Sequence, residues 1–139
     1  MTHGPTHWLL VSAALELIAS CLLGFVMLLP MQPWGAALRA RWPSTKVLMS
    51  VHLDLVMLGL MQLAAGAAIH AQPGPHDPLA AILLVVSGGS NFAPYAWRLV
   101  GVNAFAFAGG PLQRTAALLS GAGAVALTTG WVVLLVGWL

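Results

Sequence analysis

Long apolar stretches dominate this chain, and they constrain its fold more than any other feature. Of its 139 residues, 60% are hydrophobic and only 6% are charged. An average soluble domain is about a quarter charged, so the composition excludes a soluble protein. A run of roughly 20 apolar residues can cross the hydrocarbon core of a bilayer. Four such spans occur, at about residues 8–29, 47–69, 79–97 and 112–139.

Each span must be a helix, because lipid offers no hydrogen-bond partners to an exposed backbone. We therefore predict an all-α protein, in which residues 1–139 form a single transmembrane domain, an integral membrane four-helix bundle. The single Cys21 has no partner for a disulfide. The net charge of +2 is too small and too spread to indicate nucleic-acid binding, so the lipid bilayer is the expected partner.

Charge predicts the orientation of the bundle. Loops rich in Lys and Arg face the cytoplasm when a helical protein inserts into a membrane. We therefore predict a multi-pass protein of a bacterial-type inner membrane, with the first and third loops cytoplasmic and both termini outside. All five cations lie in those two loops or at their edges: Arg39, Arg41, Lys46, Arg98 and Arg114.

Two ionisable residues, His52 and Asp54, interrupt the second span. Ionisable groups within a membrane are costly and usually face the interior of the bundle, where they have a function. Asp54 follows His52 by two positions, about 200° around a helix, so we expect the two side chains not to pair. Gly59 shares the His52 face, where it either leaves room for a flat ring or allows close helix packing. The roles of Asp54 and of Glu16 in the first span stay open.

Two interpretations of His52 remain at this point. The first is an interhelical hydrogen bond, to Asn91 or Asp54. The second is a metal or haem ligand, since neutral imidazole is a common ligand of both. A zinc site needs three or four convergent ligands, whereas haem supplies four nitrogens itself and suits an isolated histidine better. The other histidines are expected near the outer surface: His3, His7, His70 and His76.

The third span carries a row of polar residues on one face. Ser87, Asn91 and Tyr95 follow each other at intervals of four residues. Asn91 is expected roughly 10 Å from the cytoplasmic end and His52 roughly 8 Å, so the two could share one layer. Pro94 cannot donate a hydrogen bond to the Ser90 carbonyl, which therefore needs another partner.

Short motifs in these two spans resemble a known family. The segment SNFAPY, residues 90–95, resembles the S-N-x-x-x-Y stretch on the third helix of styrene oxide isomerases. His52, with Gly59 seven positions later, resembles their haem-ligating histidine and the glycine that follows it. His52-Leu53-Asp54 is similar to the H-L-E segment of hydroxylaminobenzene mutases, which are also four-helix membrane proteins of comparable length. The first and fourth spans match only in hydrophobicity.

The resemblance implies a haem b protein that assembles as a homotrimer, with haem near the subunit contacts. His52 would be the axial ligand of the iron. Gly59, Ser87 and Asn91 would also bind the cofactor, while Asn91 and Tyr95 would act on the substrate.

The same resemblance implies an activity. Ferric haem would act as a Lewis acid that rearranges a small apolar aromatic epoxide to an aldehyde, a Meinwald-type isomerisation. An arylhydroxylamine mutase and a haem-binding protein without catalysis are the alternatives. The sequence departs from the isomerases at two positions, because Leu58 and Ser87 stand where they carry asparagine and aspartate.

Overall fold

The computed structural model of the chain describes residues 4–39 and 44–139. His3 and Arg41, for which the sequence predicts an outer-surface and a cytoplasmic position, lie outside the described residues. Within the described part the secondary structure is helical, and the elements are listed here in chain order. They are α1 (Pro5–Leu28), a 3₁₀ turn (Leu29–Met31), α2 (Ala36–Arg39), α3 (Thr45–Ala71), α4 (Asp77–Asn91), α5 (Ala93–Leu99) and α6 (Pro111–Trp138).

The predicted all-α membrane fold is confirmed. Four helical segments are long and apolar enough to cross a membrane, and each contains one predicted span. Proline occupies one of the first two positions in α1, α4 and α6, where its missing N–H costs no helical hydrogen bond. The helices therefore begin a few residues before the apolar stretches that predicted them.

The third span is two helices rather than the one predicted. It breaks at Phe92, between α4 and α5, and Pro94 lies in the first turn of α5. The Phe92 N–H donates to the Ser90 carbonyl, the group that Pro94 leaves without a helical donor. The C-terminal part of this span, α5, contacts both α3 and α6.

The helices form two close pairs. α1 packs along α3, α4 packs along α6, and α1 contacts α4 across the middle. No Cα atoms of α3 and α6 approach within 8 Å of each other. The core cluster joins the start of α1 and α4 to the end of α3 and α6, so consecutive spans run in opposite directions. Its members are Leu9, Ala65, Ile69, Ala80, Ala81, Leu84 and Leu134.

Candidate functional site

A cavity of about 470 Å³ lies between α3 and α6, away from the core cluster. It exists because these two helices stay apart while their ends converge on the core cluster. Its lining is mostly apolar, and it comes from the middle of α3, the junction of α4 and α5, the loop that follows α5 and residues 117–127 of α6. From α3 these residues are Asp54, Met57, Leu58 and Met61.

Aromatic side chains form one wall of the cavity. Tyr95 on α5 packs edge to face on Phe105 of the following loop, with ring centroids 5.1 Å apart and an interplanar angle of 66°. The Arg98 guanidinium lies 5.5 Å from the Phe105 centroid, within the range of a cation–π interaction. Phe107 lines the cavity from the same loop. These contacts attach the loop to α5 and hold the aromatic wall in place.

Small residues of α6 form the opposite wall, among them Ala117, Gly121 and Ala124. A side chain at Gly121 would start 3.6 Å from the Phe107 ring, so the glycine leaves space open between the two walls. Ser120 also lines the cavity, but its hydroxyl donates to the Ala116 carbonyl at 2.7 Å. The α6 wall therefore provides volume and no uncommitted donor.

Three polar groups of the cavity lack a complete set of partners. The Asn91 amide nitrogen donates to the carbonyls of Ser87 and Gly123, at 3.1 Å each, which ties α4 to α6. Its oxygen accepts no hydrogen bond from any described residue. The Asp54 carboxylate and the Tyr95 hydroxyl likewise have no hydrogen-bond partner in residues 4–39 and 44–139. The cavity thus offers mainly acceptors to a ligand.

His52 is half-buried on the other side of α3, against α1. Its Nδ1 lies 2.9 Å from the Ser20 carbonyl and 2.9 Å from the Ser20 hydroxyl, which itself donates to the His52 carbonyl at 3.1 Å. A carbonyl only accepts, so Nδ1 carries a proton, and in the neutral imidazole Nε2 then keeps its lone pair. Nε2 has no partner among the described residues. A side chain at Gly24 would lie 3.4 Å from the imidazole, which shows how closely α1 passes it.

This arrangement of His52 fits a haem ligand. A ligating histidine usually donates its second ring N–H to a backbone carbonyl or a carboxylate, which fixes the tautomer and the ring orientation. The Ser20 carbonyl does this for His52. The interhelical hydrogen bond expected as the simpler interpretation is also present, but its partner is Ser20 instead of Asn91 or Asp54.

Two of the three other predicted cofactor residues, Gly59 and Ser87, lie in helix packing. A side chain at Gly59 would lie 2.9 Å from the Leu17 side chain and 3.2 Å from the Ala13 carbonyl, so α1 fills the space beside it. Ser87 is fully buried, and its hydroxyl donates to the Leu84 carbonyl at 2.8 Å. Of the two interpretations of Gly59, the structure of the single chain agrees with close helix packing. Neither Gly59 nor Ser87 borders the cavity.

His52 and the cavity lie on different faces of α3. Asp54 lines the cavity while His52 contacts α1, as their angular separation predicts. Asn91 bonds to α6 and borders the cavity, so the structure does not bring it to His52. His52 and Asn91, which were expected at a similar depth, therefore do not belong to one site within a single chain.

A buried polar pair, Glu16 and Gln62, lies inside the bundle, and the sequence analysis identified only Glu16. Gln62 donates to the Glu16 carboxylate at 2.9 Å and to the Leu84 carbonyl at 3.0 Å. Glu16 and Gln62 are 7% and 2% exposed, so this pair lies inside the bundle. Gly88 faces it, and a side chain there would overlap both polar groups. Glutamine in an apolar span was the available signal for Gln62, and serine in an apolar span was the signal for Ser20.

Comparisons with protein-family models, with curated proteins and with solved structures give no match to this chain.

Proposed function

We propose that this chain is a haem b-dependent isomerase of the membrane, with His52 as the axial ligand and the α3–α6 cavity as the substrate site. The observation that carries the proposal is the His52 imidazole, whose Nδ1 is bonded to the Ser20 carbonyl and whose Nε2 has no hydrogen-bond partner among the described residues. When bound, ferric haem supplies a Lewis acid that polarises an oxygen of the substrate. The resemblance to styrene oxide isomerases gives the reaction, the rearrangement of an aryl epoxide to an aldehyde.

The residues of the cavity would bind and orient the substrate. Phe105 and Phe107 pack against its aryl ring. Tyr95 is held edge to face on Phe105, and its unpartnered hydroxyl donates a hydrogen bond to the substrate oxygen. The apolar lining keeps water away from a reactive cationic intermediate. Asn91 keeps α4 and α6 at the spacing that this cavity needs.

We further propose that the working site is shared between neighbouring copies in a homotrimer. Within one chain, α3 separates His52 from the cavity. The residue that would hold haem on one copy would be completed by substrate-binding residues only if a neighbouring copy brings its cavity to His52. The separation of α3 and α6 is compatible with this assembly, because no Cα atoms of these two helices, which both line the cavity, approach within 8 Å.

The first experiment measures haem binding. The purified protein should show a Soret absorption band, and His52→Ala should remain a folded oligomer with little bound haem. His70→Ala is the matched control, because it removes an exposed histidine from the far end of the same helix and should leave the band unchanged. Full haem occupancy in His52→Ala would refute the ligand assignment.

Mixed oligomers test the shared site. His52→Ala lacks the ligand and Tyr95→Phe lacks the donor, and each variant alone should be slow. Co-expression places an intact His52 and an intact Tyr95 on neighbouring copies, so part of the activity should return. If the mixture is no faster than the mean of the two variants, the site lies within one chain.

Substrate conversion tests the reaction. The haem-loaded protein should convert an aryl epoxide to the aldehyde without added cofactor, because the isomerisation transfers no net electrons. An arylhydroxylamine is the second candidate, favoured by Asp54 and by the Asn91 oxygen, since these acceptors match its N–H and O–H groups. If the loaded protein converts neither, the non-catalytic haem-binding alternative takes the place of the isomerase.

The membrane orientation is also proposed from the sequence. The cationic first and third loops would face the cytoplasm of a bacterial-type inner membrane, with both termini outside. A cysteine introduced in the loop at residues 72–77, in a variant whose Cys21 is replaced, should react with an impermeant reagent added from outside. Reaction only after the membrane is opened would reverse the orientation.

A further inference from the structure

We infer that the α3–α6 cavity binds a lipophilic ammonium ion, a protonated amine on an aromatic body, with Asp54 as its counter-ion. This inference goes beyond the proposed isomerase, because it concerns binding to Asp54 and needs no haem.

The first argument is the charge of Asp54. Its carboxylate lies in a membrane-spanning helix, half-buried and facing a largely apolar cavity. It forms no hydrogen bond or ion pair with a residue of the described ranges. Among the described residues, Lys46 on α3 and Arg114 on α6 form no ion pair with Asp54, and Arg98 on α5 lies over Phe105. A carboxylate at this depth is stabilised by an opposite charge, which a cationic ligand would supply.

The second argument is the balance of donors and acceptors. Both donors of the Asn91 amide are used by backbone carbonyls, which leaves its oxygen as an acceptor. With Asp54, the cavity presents two acceptor groups and a single uncommitted hydroxyl, that of Tyr95. An ammonium group has three donors and no acceptor, so it complements this set.

The third argument is the shape of the site. Tyr95, Phe105 and Phe107 supply aromatic rings, whose faces attract a cation and whose area suits an aryl group. The volume of about 470 Å³ falls within the range of sites for small molecules. The separation of α3 and α6 gives the site this volume.

The test compares three probes of equal chain length on the purified protein in detergent: 3-phenylpropan-1-amine, 3-phenylpropan-1-ol and 3-phenylpropanoate. The amine is cationic at neutral pH and should bind about tenfold or more tighter than the alcohol, because the alcohol replaces a charged hydrogen-bonded pair by a neutral one. The carboxylate should bind most weakly, because its charge has the same sign as that of Asp54. Asp54→Asn should remove this preference. Asp77→Asn makes the same change outside the cavity and should retain it.

Two outcomes would overturn the inference. One is equal binding of the amine and the alcohol by the unmodified protein, a comparison that needs no variant to fold. The other is an amine preference that survives in folded Asp54→Asn.

The haem-loaded protein and the His52→Ala variant separate this inference from the proposed function. The amine should bind both with the same affinity and leave the Soret band in place. Binding that requires haem, or that shifts the Soret band, would mean coordination to iron and would also overturn the inference. Failure of the protein to bind haem would refute the proposed isomerase and leave the Asp54 site standing.

Discussion

Gly88→Ala should be one of the most destabilising single-methyl additions in the chain. The new methyl group would overlap the amide nitrogen of Gln62 and a carboxylate oxygen of Glu16. These two groups bond to each other at 2.9 Å, and Gln62 also donates to the Leu84 carbonyl at 3.0 Å. Neither side chain can move to solvent, because both are buried. The methyl group therefore breaks the hydrogen bonds or forces α4 away from α1 and α3.

The magnitude follows from three contributions. Overpacking of a filled interior costs about 1–3 kcal/mol. Loss of two buried hydrogen bonds costs about 0.6–1.5 kcal/mol each, with the lower value typical of membrane proteins. Alanine offsets about 1 kcal/mol of this through its higher helix propensity. We expect the free energy of unfolding to fall by about 1–5 kcal/mol.

The adjacent glycine is a matched control. A methyl group at Gly89 would meet no atom within 4 Å, so Gly89→Ala should be neutral or more stable by up to about 1 kcal/mol. Thermal unfolding of the two variants in one detergent, followed by circular dichroism, gives the comparison. Equal midpoints for Gly88→Ala and Gly89→Ala would show that the Glu16–Gln62 pair does not occupy the space beside Gly88. A Gln62→Ala change should recover part of the loss in the Gly88→Ala background, since it removes the overlapping amide.

Three further predictions concern the core and the site. Gly130→Ala should lower the free energy of unfolding by about 1–3 kcal/mol, because its methyl group would lie 2.9 Å from the Leu84 side chain; thermal unfolding checks this. Ser20→Ala keeps the carbonyl but removes the hydroxyl beside His52, so haem affinity should fall by about tenfold, and haem titration measures it. Tyr95→Phe should slow epoxide turnover by about 100-fold if its hydroxyl stabilises the substrate oxygen; unchanged turnover would assign Tyr95 to packing.

The positions of the departures from the isomerases differ in the structure. Leu58 lines the cavity, so an asparagine there would add a polar group to the proposed substrate site. Ser87 is sealed inside the bundle and bonded to Leu84, so an aspartate there would be a buried charge without a partner. Restoring asparagine at Leu58 would therefore test the substrate site, whereas restoring aspartate at Ser87 would test the stability of the bundle.

The sequence by itself determined the helical membrane fold, the number of spans and the separation of His52 from Asp54. These properties are local, because span length follows from hydropathy and side-chain direction follows from helix periodicity. The break at Phe92 needed the structure, although Pro94 signalled it, since proline in a membrane helix produces anything from a slight bend to a complete break.

Only the tertiary structure decided which helices are neighbours. That arrangement in turn decides which residues line the candidate site. The sequence named Asn91 and Asp54 as partners of His52, whereas the structure pairs it with Ser20, because hydropathy does not show which helix lies beside His52. The cavity exists because α3 and α6 stay apart. The Glu16–Gln62 pair fits between the helices because the residue that faces it, Gly88, has no side chain. In lipid, such choices depend on close packing and on hydrogen bonds between residues distant in the chain, which no local pattern records.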